Sequence, residues 1–571
     1  MKHNNFCDSR INANALFFLL LFVSFLLNVV QAALTEIGND EAYYWVYSRF
    51  PDWGYYDHPP VVAWVVKMGT LIAGDSTLGV RLFVILLQLL FLVVVYRISD
   101  LPNSRRNVLL FFILSWSVVM LQVYGFIATP DAPLLFFTAF FLWSYTLFLR
   151  SDGVRWSIWW MALCMAGLMY SKYHGAVVIL LVFLSNWRAL LKKPGFYLSV
   201  LLAAVLYLPH IVWQVEHDFP SLKYHLTERS HGFQWSYFPD FLLNQLPVFN
   251  PFTLGAVIYV LFHRKKRDPF EKALRFLIIG FFLFFTLWNF KGHVEPHWTV
   301  AAAVPMILLV LREADENRKL RRYLFRVVAP SIVLILVARL FLMVDILPIP
   351  TEWHGDKQRV ADLHAVAGSR PVVFAYGFQM PSKYRFYTGG DAHAMGVLDY
   401  RNTQYDIWHF DEDYWGAPVV IDAGDPIPGI APVESGSSLF YLKEVMAYQP
   451  YKRLRVIPSS ADGRLVAGKE NRVQVTVFNP YRASYQIHHP SMPLEITILL
   501  TVKDDNGLRT EKIATVASFD AETIPPGERV TGTIAFDLPE LPKGPCSCFF
   551  ATATPGIAPA TLEKPIKIVI E

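Results

Sequence analysis

Charge is scarce in this sequence. Of 571 residues only 17% are charged, and the formal net charge is +4. So small a basic excess gives no electrostatic footprint for nucleic acid, and no nucleic-acid partner is expected. Cysteine is scarcer still: Cys7, Cys164, Cys546 and Cys548. Cys164 lies in an apolar run, and Cys546 and Cys548 are too close to bridge without strain, so no disulfide framework or zinc spacing emerges. Internal repeats, low-complexity tracts and Asn-x-Ser/Thr sequons are absent as well. Apolar residues are what is abundant, at 54% hydrophobic and 15% aromatic. That composition belongs to a membrane protein, with membrane lipids as its surroundings.

Lys2 and Arg10 precede an apolar run from Ala15 to Leu34 that ends in "QAAL". A cleaved signal peptide has this shape. The run is also as long as a bilayer-spanning helix, about 20 residues, and the topology below favours a retained first helix. About eleven spans are expected, at 12–33, 78–97, 107–126, 132–149, 156–171, 174–187, 196–213, 247–263, 272–290, 298–311 and 323–345.

The loops between them alternate in character. One set carries Arg97, Arg105 and Arg106; Arg150 and Arg155; Arg188, Lys192 and Lys193; Arg264, Lys265, Lys266 and Arg267; and Arg312, Arg318, Lys319, Arg321 and Arg322. Basic loops are retained in the cytoplasm, so these are inside, with the N-terminus, and everything after Leu347 is outside. The opposite set holds Asp40, Glu41, Asp57, His58, Asp131, Lys172, His174, Glu216, His217, Lys291, His293, Glu295 and His297. Any one of these reads equally well as a solvated loop residue. Their shared side of the membrane points to one common cavity, because polar groups at membrane depth are costly.

After the last span the composition changes. "PVVFAYGF" (Pro371–Phe378) and "APVVIDAG" (Ala417–Gly424) read as buried strands, with a helix over Lys357–Ala365. From about residue 452 the pattern is all-β, with strands at Arg472–Phe478, Glu495–Val502, Val530–Phe536 and Ile566–Ile570, separated by turns such as "DDNG" and "IPPGE". The expected fold is therefore a polytopic α-helical membrane protein with a C-terminal non-cytoplasmic α/β module and β-sandwich. Its domains are a transmembrane domain at 1–347, a small α/β module at 351–450 and an immunoglobulin-like sandwich at 452–571. Asp504 and Asp505 read as turn residues rather than metal ligands.

The stretch "DEAYYWVYSRFPDWGYYDHPP" (Asp40–Pro60) follows the first span. Adjacent side chains diverge, so one of Asp40 and Glu41 faces the cavity while the other packs nearby. A carboxylate there suits a general base that takes a proton from an attacking hydroxyl, a ligand for a divalent cation, or simply a helix cap. Pro59-Pro60 stiffens the backbone behind Asp57 and His58 and halts any helix there. A plain turn leading to an interfacial aromatic belt is the competing reading. Lys172 and His174 in "SKYHG", and Lys291, His293 and His297 beyond, are cationic or imidazole candidates for a phosphate; snorkelling and interfacial packing compete. Glu295 would pair with one of them or with a metal. Asp131, between two prolines, serves equally as a cap. The loop from Gln214 to Leu246 is long enough for a lid, and Arg229 and His231 within it are further phosphate candidates.

An acidic pair after the first helix, followed by an aromatic-Asp-His-Pro-Pro stretch, resembles the protein O-mannosyltransferases. The longer run together with "GDSTLGVRL" resembles more closely the bacterial glycosyltransferase family 39 proteins, relatives of the enzymes that place aminoarabinose on lipid A. "TPDAPLLFF" (Thr129–Phe137), "YSKYHGAVV" (Tyr170–Val178) and "HVEPHWTVAAAVP" (His293–Pro305) are similar to that family's later motifs, in the same order. The resemblance covers about residues 12–311. It implies a GT-C glycosyltransferase that takes a sugar from a polyprenyl phosphate and passes it to a lipid, glycan or protein acceptor at the extracytoplasmic face of a bacterial inner membrane. By position Asp40 matches the family's catalytic carboxylate and Glu41 completes the pair. Asp57 and His58 match an Asp-x-His-Pro-Pro segment whose intervening residue this chain lacks. The aminoarabinose transferases carry Lys where this chain has His58. Whether a divalent cation takes part is left open by the sequence.

Two other classes compete. A transporter of polyprenyl-linked sugars would place polar groups near mid-bilayer, often in repeated halves. A receptor or scaffold working through its outer β-domain would leave Asp40, Asp57 and Lys172 without a purpose.

Overall fold

The structure, a computed structural model, describes residues 12–150, 155–229, 232–265, 268–346, 349–398, 400–458, 464–504 and 507–571. Two compact units make up the chain, the second beginning at Gly355.

The first unit is helical. Its opening elements are α1 (Ala13–Leu34), α2 (Asn39–Arg49), α3 (Val61–Ala73), α4 (Thr77–Ser99), α5 (Arg105–Ser117), α6 (Val119–Val123), α7 (Asp131–Arg150), α8 (Arg155–Ser171), α9 (Gly175–Leu190) and α10 (Pro194–Glu216). Local chemistry fixes several starts. The Asn12 side chain accepts from the Ala15 N–H, Ser76 from Gly79 and Ser104 from Asn107, each satisfying an otherwise orphaned helix donor. Six helices among the described residues are long and apolar enough to cross a membrane, or seven if one bent pair counts as a single span. The chain is a multi-pass membrane protein.

Helix occupies all eleven expected spans, but three are interrupted, one of them at Asn186 (φ −136°) within Gly175–Leu190. The 107–126 segment is interrupted at Val118, which is extended. The 247–263 segment turns through 102° between Tyr237–Phe249 and Pro251–His263. Asn250 makes that corner. Its φ is +67°, its side chain accepts from the Phe252 N–H at 3.0 Å, and its Nδ2 donates to Ser331 Oγ at 2.7 Å. Asn tolerates the left-handed region better than most residues, and the following Pro251 cannot donate to a continuing helix.

Several polar groups inside the bundle are bound in networks. Arg339, on the final helix Ala329–Met343, donates to Gln31 Oε1 (3.1 Å), Gln122 Oε1 (3.0 Å) and Asn28 Oδ1 (2.9 Å), joining it to α1 and α6. Leaving such donors unmade would cost several kcal/mol each in hydrocarbon.

In the second unit, three parallel strands, β1 (Val372–Phe374), β2 (Ala392–Ala394) and β3 (Val419–Asp422), lie in the order β2-β1-β3, with Leu442–Val445 antiparallel at the edge of β3. Helices Asp356–Ala367 and Gln379–Thr388 accompany them. Beside two two-stranded sheets, two larger ones follow. One runs Gly507–Ala514, Glu495–Asp504, Gly544–Thr554, Ile566–Ile570 and Arg464–Leu465; the other runs Val516–Phe519, Arg529–Asp537, Glu470–Phe478 and Arg455–Pro458. Along Glu470–Phe478 burial alternates residue by residue, the mark of a strand with one face on a core. That core is continuous with the parallel layer: Val373 and Ile421 share a cluster with Val475 and Ile498. Cys164, Cys546 and Cys548 are buried free thiols.

Candidate active site

The stretch after α1 forms a short helix, α2, whose first turn carries both acidic residues. The two carboxylates have different surroundings. Glu41 is buried and accepts from Arg81 Nε at 2.8 Å and Nη2 at 2.5 Å, from the Gly38 N–H at 3.0 Å and from the Ala128 N–H at 2.8 Å. Arg81 is itself fully buried and donates its remaining hydrogens to the carbonyls of Ala32, Thr35 and Glu36. Expected as part of a catalytic pair, Glu41 is instead committed to these four donors. It ties together the end of α1, the start of α2, α4 and the segment before α7. Asp40 is exposed, on the first turn of α2. It lies within electrostatic reach of Tyr124, as do Asp131 and Glu295.

Lys172 is the centre of the second group. It follows α8 in a tight turn into α9, where Gly175 packs against the preceding helix; a Cβ there would lie 2.4 Å from the Leu168 carbonyl oxygen. That close approach brings Lys172 back over the bundle. Its Nζ donates to Asp131 Oδ1 at 2.9 Å and Oδ2 at 2.8 Å, and both side chains are buried. Lys172 and Asp131 act electrostatically on both His58 and His297. Lys172, His58 and His297 all act on His174. The expected residues His58, Asp131, Lys172, His174 and His297 thus come together. His58 Nδ1, His174 Nδ1 and Thr129 Oγ1 are buried without a hydrogen-bond partner.

Asp57 is buried and accepts the Tyr47 hydroxyl at 2.7 Å. Its carbonyl oxygen lies 2.9 Å from His225 Nε2. This links the first loop to the segment after α10, which contains a π-helical turn, Tyr224–Glu228, a geometry common at functional sites. Ser221 Oγ donates to the Tyr55 carbonyl at 2.8 Å, and the Tyr56 hydroxyl bonds Glu228. Gly54 permits the approach of Trp213, since a Cβ there would meet its ring at 2.4 Å. Burial holds the His58 imidazole down at about 3 and His225 at about 4, the cation of Lys172 adding to both. Both rings are therefore neutral at pH 7. The expected phosphate ligand His58 can offer a hydrogen bond but no charge.

A third cluster adjoins. Arg229 donates to Glu295 at 2.9 Å and stacks its guanidinium 4.5 Å from the centre of the Trp298 ring. His293 lies 3.7 Å from Glu295. Arg229, Lys291, His293, His225 and Trp298 line one cleft. Arg229 acts on both His225 and His297, which connects this cleft to the Lys172 group. His231 lies outside the described residues. Among the described residues no group of three or more His, Cys, Asp or Glu side chains is arranged to hold a metal ion.

Sequence reasoning did not single out Arg81, Tyr124 or His225. Arg81 stood within "GDSTLGVRL" and His225 within the loop read as a lid. What makes them part of the site is contact across 40 to 168 residues of chain.

Residues 57–213 match the family described as dolichyl-phosphate-mannose-protein mannosyltransferase. Among solved structures, ArnT from Cupriavidus metallidurans bound to undecaprenyl phosphate aligns with a TM-score of 0.57 at 15% identity, covering 75% of this chain and 97% of that one. Its apo form aligns at 0.56 and 14%, covering 72% and 93%. This chain shares the fold of the ArnT structures. A curated relative, the lipid A galacturonosyltransferase RgtD of Rhizobium johnstonii, is 26% identical over 298 residues. The match spans 48% of this chain and 60% of the relative.

Proposed function

We propose that this protein is an integral-membrane glycosyltransferase that moves a sugar from a polyprenyl-phosphate donor to a lipid, glycan or protein acceptor at the extracytoplasmic face of a bacterial inner membrane. The observation that carries the reading is the gathering of the Asp131–Lys172 pair, His58, His174, His225 and His297, with Asp131, Asp40 and Glu295 all within electrostatic reach of Tyr124. The outward face follows from the loops: the clustered Arg and Lys residues occupy the opposite helix ends, and basic loops stay in the cytoplasm. The substrate class proposed is supported by ArnT, solved with undecaprenyl phosphate, and by RgtD, named for lipid A.

The chemistry is a direct displacement. An acceptor hydroxyl oxygen attacks the anomeric carbon as the bond from that carbon to the donor phosphate oxygen breaks. The bonding pair leaves on the polyprenyl phosphate. Asp40 takes the proton of the attacking hydroxyl. Cationic donors stabilise the charge growing on the leaving phosphate: Lys172, held by Asp131, with Arg229 and Lys291 from the adjoining cleft. The imidazoles of His58, His174 and His297 donate hydrogen bonds there. Glu41 acts through Arg81 as a positioning residue that fixes the first turn of α2, and with it Asp40.

Mass spectrometry of lipid and protein glycans from cells with and without the gene tests the reading. The account expects a mass difference of one sugar residue that returns with the wild-type gene and not with Asp40→Asn. Restoration by Asp40→Asn would favour a transporter or scaffold and overturn the assignment.

A further inference from the structure

Helices α7, α8, α9 and α10 enclose an open groove on the outside of the bundle. Its volume is about 370 Å³, within the range of small-molecule sites. Every residue that lines it is apolar or aromatic. The one hydroxyl among them, on Tyr145, already accepts from Asn186 Nδ2 at 2.8 Å. Met161, Met165 and Met169 recur at four-residue spacing along α8 and form one wall. Methionine adapts to irregular apolar shapes. Ala176 and Leu190 both line the groove, a span of about 21 Å along α9. The rim is open to the side: Leu180 is 51% exposed and Val200 42%. A long, dry, laterally open groove admits a hydrocarbon chain and offers nothing to a polar solute.

One end of the groove is charged. Leu190 and Phe196, which line it, flank the turn from α9 to α10. That turn carries Lys192 and Lys193, and Arg188 stands in the last turn of α9. These three are the only Asp, Glu, Lys or Arg residues between Gly175 and Val215. Arg188 and Lys192 are exposed, and Lys193 Nζ reaches the Phe148 carbonyl at 3.4 Å. Asn186 bonds the Pro269 carbonyl, which brings Asp268 and Glu271 near, but they are paired with Arg312 (3.1 Å) and Arg264 (3.2 Å). The turn is among the basic loops assigned to the cytoplasm by the charge rule. Basic pockets between helices on that side suit acidic lipid head groups. The polyprenyl phosphate of the proposed reaction would hold its phosphate at the other end of these helices, beside Lys172, so the charged end matches a different lipid.

We propose that this groove binds an anionic phospholipid of the cytoplasmic leaflet, with one acyl chain along the methionine wall and the phosphate against Arg188, Lys192 and Lys193. The site does not rest on the transferase reading.

Native mass spectrometry of the full-length protein in detergent tests it. Phosphatidylglycerol is the anionic probe, phosphatidylcholine the zwitterionic one and undecaprenyl phosphate the competitor. The expected result is saturable binding of phosphatidylglycerol, about tenfold or more tighter than phosphatidylcholine. Each basic side chain near an acidic lipid surface contributes about fivefold, so Arg188→Gln combined with Lys192→Gln weakens phosphatidylglycerol about 25-fold. Leu180→Trp fills the groove from its rim and weakens both phospholipids. All three positions are exposed, and circular dichroism checks that the variants are folded. Undecaprenyl phosphate leaves the bound phosphatidylglycerol in place. Equal affinity for the two phospholipids, or phosphatidylglycerol binding undiminished in either variant, would overturn the proposal. Displacement by undecaprenyl phosphate would assign the groove to the carrier lipid and overturn it as well.

Discussion

Arg81 holds Glu41 through two parallel hydrogen bonds, at 2.8 and 2.5 Å, with both side chains out of contact with solvent. A bidentate pair of this kind fixes direction as well as distance. Next to it, Asp40 is exposed. The acidic dipeptide is thus divided between a buried carboxylate bound by Arg81 and an exposed one.

That division predicts opposite behaviour of neighbouring variants. Glu41→Gln leaves Arg81 as an uncompensated buried charge, which typically costs about 3–5 kcal/mol, so thermal unfolding in detergent shifts sharply downward. Asp40→Asn changes the unfolding temperature little. Equal destabilisation by both would refute the assignment of Glu41 as the structural member.

The Asp131–Lys172 pair gives a double-variant test. Lys172→Met alone strands a buried carboxylate and destabilises by about 3–5 kcal/mol. Lys172→Met with Asp131→Leu recovers most of that loss, because apolar replacement of a whole buried pair is often neutral. Sugar transfer stays abolished in the stable double variant. Recovered activity would assign the pair a structural role alone.

His58 and His225, held at about 3 and about 4, predict a pH response. Their folded values lie below the ordinary histidine value of 6.5, so folding favours the neutral ring. The stability they contribute is complete above pH 6.5 and is lost as pH falls towards 4 and below. The transfer rate accordingly shows no imidazole limb between pH 5.5 and 7.5 from these two rings. A limb near 6.5 that disappears in His58→Gln would contradict this.

Asp411 behaves in the reverse sense. Burial raises its carboxyl from 3.8 to about 6, against the opposing pull of Arg453. A raised acid favours the protonated folded form, so its stability contribution is complete below about pH 4 and is lost as pH rises through about 6. Two units correspond to about 3 kcal/mol. Asp411→Asn therefore raises the unfolding temperature at pH 7.5 and gives no gain at pH 4. Destabilisation at pH 7.5 would contradict it.

Much of the helical unit could be read from composition, because a run such as Ala15–Leu34 has few alternatives once its length matches a bilayer. The long strands Glu495–Val502 and Ile566–Ile570 were equally plain, since alternating or continuous apolar residues between turns specify them. The break at Asn250 was missed, although "FNPF" carries a turn signal, because apolar residues on both sides mask the corner. Motif order placed Asp131, Lys172 and His297 in one region. It could not reveal that Glu41 turns to Arg81, or that His225 reaches the Asp57 carbonyl. Those contacts depend on tertiary closure of loops, and neither partner carries a local signature of the other.

The most direct measurement is the single-turnover rate of acceptor-dependent polyprenyl phosphate release by purified protein, wild type against Asp40→Asn, with donor affinity measured in parallel. Removing a general base lowers such rates by about 10²–10⁴-fold. The account predicts a fall in that range with donor affinity within about twofold of wild type, and an unaltered rate in Asp40→Asn would contradict it.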